Sequence, residues 1–115
     1  RMMKRYCLAL DLVDDASKIA AYIQHHQRIW PEIAAHIRAT GVEDMQIWHL
    51  GTRLFMVMDV NNAYSAEQAA AMAAENPKVA EWEDLMWDFQ VPTPWASSGE
   101  KWVQMQQIFA LSDQV

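Results

Sequence analysis

Along residues 5–12 (RYCLALDL) apolar and polar positions alternate, with Tyr6, Leu8, Leu10 and Leu12 on one side and Cys7, Ala9 and Asp11 on the other. A period of two belongs to a strand with one buried face, so this run predicts the first strand. The period then lengthens. Ile19, Tyr22, Ile23, His26, Ile29, Trp30 and Ile33 recur at helical spacing, Lys18, Ala21, Gln24, His25 and Arg28 fall on the outer side, and Asp14 or Asp15 stands where a helix cap is needed. Pro31 lacks a backbone donor and restricts Trp30, so a kink or a restart is expected there before the helix ends near Gly41.

Two strand-like runs follow, residues 44–50 (DMQIWHL) and 53–60 (RLFMVMDV), and Gly51-Thr52 between them predicts a tight antiparallel hairpin. The stretch SAEQAAAMAAEN opens with a capping box, Ser65 with Gln68, and its alanines predict a second helix. Asn76-Pro77 breaks it. Residues 78–89 predict a further helix with Val79, Trp82, Leu85, Met86 and Phe89 on one side. Residues 91–99 (VPTPWASSG) predict a loop, and residues 103–111 (VQMQQIFAL) alternate as a last strand. The order βαββαβ is the ferredoxin-like α+β pattern: one domain over residues 1–115, an antiparallel four-stranded sheet with helices on one face, and a second face left for a partner subunit or a ligand to cover.

Composition narrows the function. With 52% hydrophobic and 21% charged residues in 115, the chain has the apolar surface an ordered globular protein needs. A net charge of -6 with no Lys/Arg cluster argues against a nucleic-acid partner. The lone Cys7 cannot form an internal disulfide, which fits a reducing compartment, and it reads as a small buried hydrophobe. The apolar patch from Tyr6 to Leu10 is cut at Asp11, too short for a signal-peptide core, and no run approaches the roughly 20 residues of a membrane span. A soluble, cytoplasmic protein is expected.

No glycine-rich phosphate loop, Cys-x-x-Cys pair or nucleophile elbow is present, so no cofactor is expected. His25 and His26 point about 100° apart on a helix, and neither has a histidine or carboxylate four residues away, so no metal site is expected. His26 shares the inward side with Ile19, Tyr22, Trp30 and Ile33, whereas His25 falls on the solvent side. Helix phase alone leaves His26 either a hydrogen-bonded core residue or a proton-transfer group. Tyr22, one turn earlier, sets a phenol beside the imidazole, a pairing suited to a polyhydroxylated ligand. Among six tryptophans, Trp30 and Trp48 read as core, Trp82 as a wall on which a sugar could stack, and Trp87, Trp95 and Trp102 have no assigned role. Near Trp82, Glu81, Glu83, Asp84 and Asp88 either accept sugar hydroxyls or face solvent.

The segment Tyr22-Ile-Gln-His-His26-Gln-Arg-Ile-Trp-Pro-Glu32 resembles the Tyr-x-x-x-His-x-x-Ile-Trp-Pro-Glu signature of L-rhamnose mutarotases. The hairpin at residues 47–60, Trp82 in AEWEDLM and the ending Gln107-Ile-Phe extend the likeness over nearly the whole chain. The resemblance implies a homodimer of ferredoxin-like subunits of the dimeric α/β barrel type that interconverts the anomers of a 6-deoxy-L-sugar without a cofactor. It also implies His26 as the catalytic residue and Tyr22 and Trp82 as substrate-binding residues. Where that family carries paired tryptophans this chain has Trp82-Glu83, and residues 92–102 diverge, so L-fucose stands beside L-rhamnose as substrate. Histidine suits the chemistry because both directions of mutarotation move a proton and its pKa lies near neutrality. Dimeric monooxygenases share this strand order, and a sugar-binding module without catalysis would use the same pocket; fold alone does not separate the three.

Overall fold

A computed structural model of the chain describes residues 3–115. Strand β1 (Lys4–Leu12) leads to helix α1 (Ala16–Gln27), whose cap is Asp15: its side chain accepts from the backbone N–H groups of Ser17 at 2.9 Å and Lys18 at 3.1 Å. Of the kink or restart expected at Pro31, the structure shows the restart, and two helices result. Pro31 opens α2 (Pro31–Ala39) at its first turn, and Trp30 before it is extended (ψ 136°), because the proline ring denies its neighbour the helical conformation. Helix α2 closes at Gly41, whose φ of +104° suits only glycine, and a Cβ there would stand 2.7 Å from Asn61 Oδ1.

Strands β2 (Val42–Leu50) and β3 (Arg53–Val60) form the expected hairpin around Gly51; β2 begins two residues earlier than the alternation indicated because a bulge lies between Val42 and Asp44. Helix α3 (Ala66–Ala74) starts under Ser65, whose hydroxyl accepts from Gln68 N–H, and α4 (Pro77–Trp87) starts under Asn76. Two strands of two residues follow, β4 (Gln90–Val91) and β5 (Val103–Gln104), and a 3-10 turn covers Leu111–Asp113.

The sheet order is β2-β3-β1-β4, the ferredoxin-like order, and β5 pairs with β1 beside β4. The fourth-strand position is thus shared: β4 meets Asp11 and Leu12, β5 meets Leu8 and Ala9. This corrects the expected last strand at 103–111, of which two residues pair with β1: one further backbone bond, Met105 N–H to the Cys7 carbonyl at 2.7 Å, follows, and residues 106–111 leave the edge although β1 continues to Lys4. It also corrects the barrel. Five strands, two of them very short, are too few to close on themselves, and the sheet of one chain is open.

Helices cover one face. Leu10, Leu12, Leu54, Met56, Met58 and Val60 are buried beneath them, and β3 alternates strictly between buried and half-buried residues. One core cluster joins Leu12, Tyr22, Ile33, Leu54, Val79, Trp82 and Met86; a second joins Val42, Met56, Met58 and Val60. On the other face Arg5 pairs with Asp59 and Arg53 with Asp11. Cys7 is half-buried there rather than in the core, and Trp48, expected in the core, is 61% exposed opposite Phe55. A strand presents alternate residues to opposite faces, and Trp48 falls out of phase with Ile47, which packs on the core. Among the described residues no helix is long and apolar enough to cross a membrane.

Candidate active site

Tyr22 and His26 lie one turn apart on α1, which puts their side chains on the same side of the helix. The rings sit with centroids 4.2 Å apart, tilted by 35°. The His26 Nδ1 is 2.8 Å from the Tyr22 carbonyl oxygen. A carbonyl only accepts, so Nδ1 carries the hydrogen and Nε2 keeps its lone pair. Burial, and secondarily the charge of adjacent His25, hold the His26 pKa below the usual 6.5, whereas the bond to the Tyr22 carbonyl pulls the other way. At neutral pH this imidazole is an uncharged base.

The Tyr22 hydroxyl is pushed up to about 12 by burial, with Glu83 adding in the same direction and a hydrogen bond from Gln90 opposing. It therefore stays protonated throughout the neutral range and acts as a donor. Gln90 Nε2 donates to this hydroxyl at 3.1 Å, so the phenol oxygen is occupied as an acceptor and its own hydrogen is left for a ligand.

Trp82 closes the group from α4. Its ring meets His26 edge-on at 5.7 Å and Trp30 at 5.1 Å, both roughly perpendicular. Tyr22, His26, Trp82, Glu83, Gln90 and Trp102 line one cavity of about 300 Å³, floored by Met45, Ile47 and Met56 of the sheet. A second hollow of about 410 Å³ shares His26, Ile29, Ile37, Met45 and Ile47 and adds Gln27, Arg38, Glu43 and Asp44. His26 thus borders an inner apolar chamber and a more polar outer one.

All three sequence-derived residues meet in this chamber. Of the four carboxylates near Trp82, Glu83 lines it, held by Lys101 at 3.0 Å. Lys101 is shielded to 11% exposure and lies 4.5 Å over the Trp87 ring, so the late segment is fastened to α4 there. Trp102 enters the chamber wall, and Trp95 lies over Arg53 on the helix-free face. His25, expected in solvent, is half-buried against Phe89 (5.5 Å) and Trp82 (6.5 Å), because α4 and its end reach further around α1 than helix phase alone reveals. Ile23, expected inward, is 40% exposed. Gln90 was missed: it reads as a residue between helix and loop, and only its pairing with Leu12 turns it inward. Among the described residues no group of three or more His, Cys, Asp and Glu side chains is placed to hold a metal ion.

A profile of the family described as L-rhamnose mutarotase matches residues 5–111. The chain belongs to the L-rhamnose mutarotase family. It is 42% identical to the L-fucose mutarotase of Xanthomonas campestris pv. campestris, over 98% of this chain and 92% of that one. A UPF0734 protein of Dictyostelium discoideum is 33% identical over 94% of this chain and 90% of its own. The crystal structure of an L-rhamnose mutarotase from Formosa agariphila superposes with a TM-score of 0.70 at 21% identity, covering 94% of this chain and 98% of that one, which supports the ferredoxin-like fold. Membership of the L-rhamnose mutarotase family makes the protein an isomerase acting on carbohydrates and removes the monooxygenase reading.

Proposed function

We propose that this member of the family interconverts the α and β anomers of a 6-deoxy-L-aldose, L-fucose first and L-rhamnose second, with His26 as the catalytic residue and Tyr22 and Trp82 holding the sugar. The observation that carries the reading is the tautomer of His26: Nδ1 is tied to a backbone carbonyl, which leaves Nε2 as a base at the chamber wall. Identity of 42% to a protein named L-fucose mutarotase supports the order of substrates.

In the proposed step His26 Nε2 takes the proton of the anomeric hydroxyl, the C1–O5 bond breaks as the C1 carbonyl forms, and the ring oxygen leaves with the electron pair. The imidazolium then gives its proton to that oxygen. Rotation about C1–C2 turns the carbonyl, and the reverse sequence closes the ring on its other face. Tyr22, a protonated phenol, donates a hydrogen bond to the sugar, and Trp82 offers an apolar face to its C–H surface. Saturation transfer between the anomeric protons of L-fucose and of L-rhamnose is the test. Exchange above the uncatalysed rate is expected for at least one sugar, and its absence for both overturns the reading.

We also propose a cytoplasmic homodimer. The helix-free face presents Trp48 and Leu50, and beyond β5 the chain carries exposed Ile108 (90%), Phe109 and Leu111, an apolar surface of the kind that marks an association site. The unpaired Cys7 fits a reducing compartment. Sedimentation velocity at micromolar concentration should return twice the chain mass of 13.3 kDa, and a single monomeric species would refute the dimer.

A further inference from the structure

Gln90 is 5% exposed, and its two amide atoms have unlike surroundings. Nε2 donates to the Tyr22 hydroxyl, whereas Oε1 is the one buried side-chain polar atom without a hydrogen-bond partner among the described residues. A buried carbonyl oxygen left without a donor destabilises the fold, and an apolar side chain of similar length would fill the space without that loss. The side chain borders the chamber that holds His26 and Trp82. The missing donor is therefore sought in what enters the chamber.

Resting on the mutarotase reading above, we infer that Gln90 is a specificity-determining residue: its Oε1 accepts a hydrogen bond from one hydroxyl of the sugar, while its Nε2 fixes the phenol oxygen so that the Tyr22 hydrogen is given to another sugar oxygen. The pair reads one hydroxyl as donor and one oxygen as acceptor, so the favoured substrate is an aldose bearing a hydroxyl at the position Oε1 meets. A site that hydrogen-bonds a hydroxyl rejects an analogue lacking it far more strongly than an apolar wall distinguishes a methylene.

The test measures anomer exchange for the better of L-fucose and L-rhamnose and for its 2-, 3- and 4-deoxy analogues, in wild type, Gln90→Met and Gln90→Glu, with circular dichroism to check folding. In wild type one analogue should fall at least about tenfold below the other two after correction for its uncatalysed rate. Gln90→Met should slow the parent sugar more than it slows that one analogue, by a similar factor, because the analogue loses only the support that Nε2 gives Tyr22. Gln90→Glu, which keeps an acceptor, should restore the discrimination. Equal rates for all analogues in wild type overturn the assignment without any variant. A uniform slowing of every sugar by Gln90→Met also overturns it, reducing Gln90 to a support for Tyr22. Absence of wild-type exchange on the parent sugar overturns the mutarotase reading itself, and this assignment with it.

Discussion

With His26 replaced by alanine, the protein-catalysed exchange of sugar anomers is expected to fall by about 10²–10⁴-fold, the usual contribution of a positioned proton-transfer group. The fold should survive, because His26 lies at the chamber wall and outside the buried residues that make up the core clusters. Retention of exchange within about tenfold of wild type would remove His26 from the mechanism. The pH profile gives a second reading of the same group. Burial lowers its pKa below 6.5, so Nε2 is unprotonated at neutrality and exchange should stay level from pH 7 down to that lowered value, then decline. Stability follows the same sign. The unfolded chain takes up this proton at higher pH than the folded one, so the contribution of neutral His26 is complete above about pH 6.5 and is lost as pH falls through the folded-state value. Its slope should not exceed about 1.4 kcal/mol per pH unit and should be absent in His26→Gln.

Where a run or a cap carried its own local signal, the fold was legible in the chain. Residues 53–60, a short apolar run set off by Gly51-Thr52, form β3 over those bounds, and the caps Asp15, Ser65 and Asn76 stand where short polar side chains precede helical runs. The end of the chain was less legible because the strand beside β1 is assembled from two pairs of residues separated by an eleven-residue excursion, 92–102, and no local pattern encodes such a division. Apolar alternation at residues 105–111 signals surface seeking cover, which reads as a strand whether the cover comes from the same chain or from another.

The candidate site was legible in part for the same reason. Tyr22 and His26 share one helix face, so a single period brings them together, and the likeness of residues 22–32 to the family signature singled them out. Trp82 stood on the apolar side of its own helix. Gln90, Glu83 and Trp102 reach the chamber only through tertiary contacts: an antiparallel pair with Leu12, an ion pair with Lys101, and the packing of the late segment on the sheet. His25 and Trp48 show the converse. Helix phase and strand phase name which side a residue takes, while what waits on that side depends on elements far along the chain.

Trp82 joins the site to the core, and its removal should have the largest effect on stability. The ring is buried in the cluster with Leu12, Tyr22, Leu54 and Met86 and is held between Trp30 and His26. Truncation to alanine loses that burial and leaves a void that the surrounding aromatics cannot fill, so unfolding in urea should show Trp82→Ala destabilised by about 3–5 kcal/mol. A loss below about 1 kcal/mol would mean that the chamber collapses to close the gap. Activity of that variant says little, since fold and site fail together. Trp82→Phe separates the two roles: it retains most of the apolar volume, so stability should change less, while the smaller ring covers less of the sugar. Because an aromatic contact of this kind contributes about 0.5–1.5 kcal/mol, sugar affinity should weaken by up to about tenfold, read by isothermal titration with L-fucose. Unchanged affinity in Trp82→Phe would show that the indole's further ring does not touch the ligand, and that the chamber recognises the sugar through Tyr22 and the other polar groups on its wall.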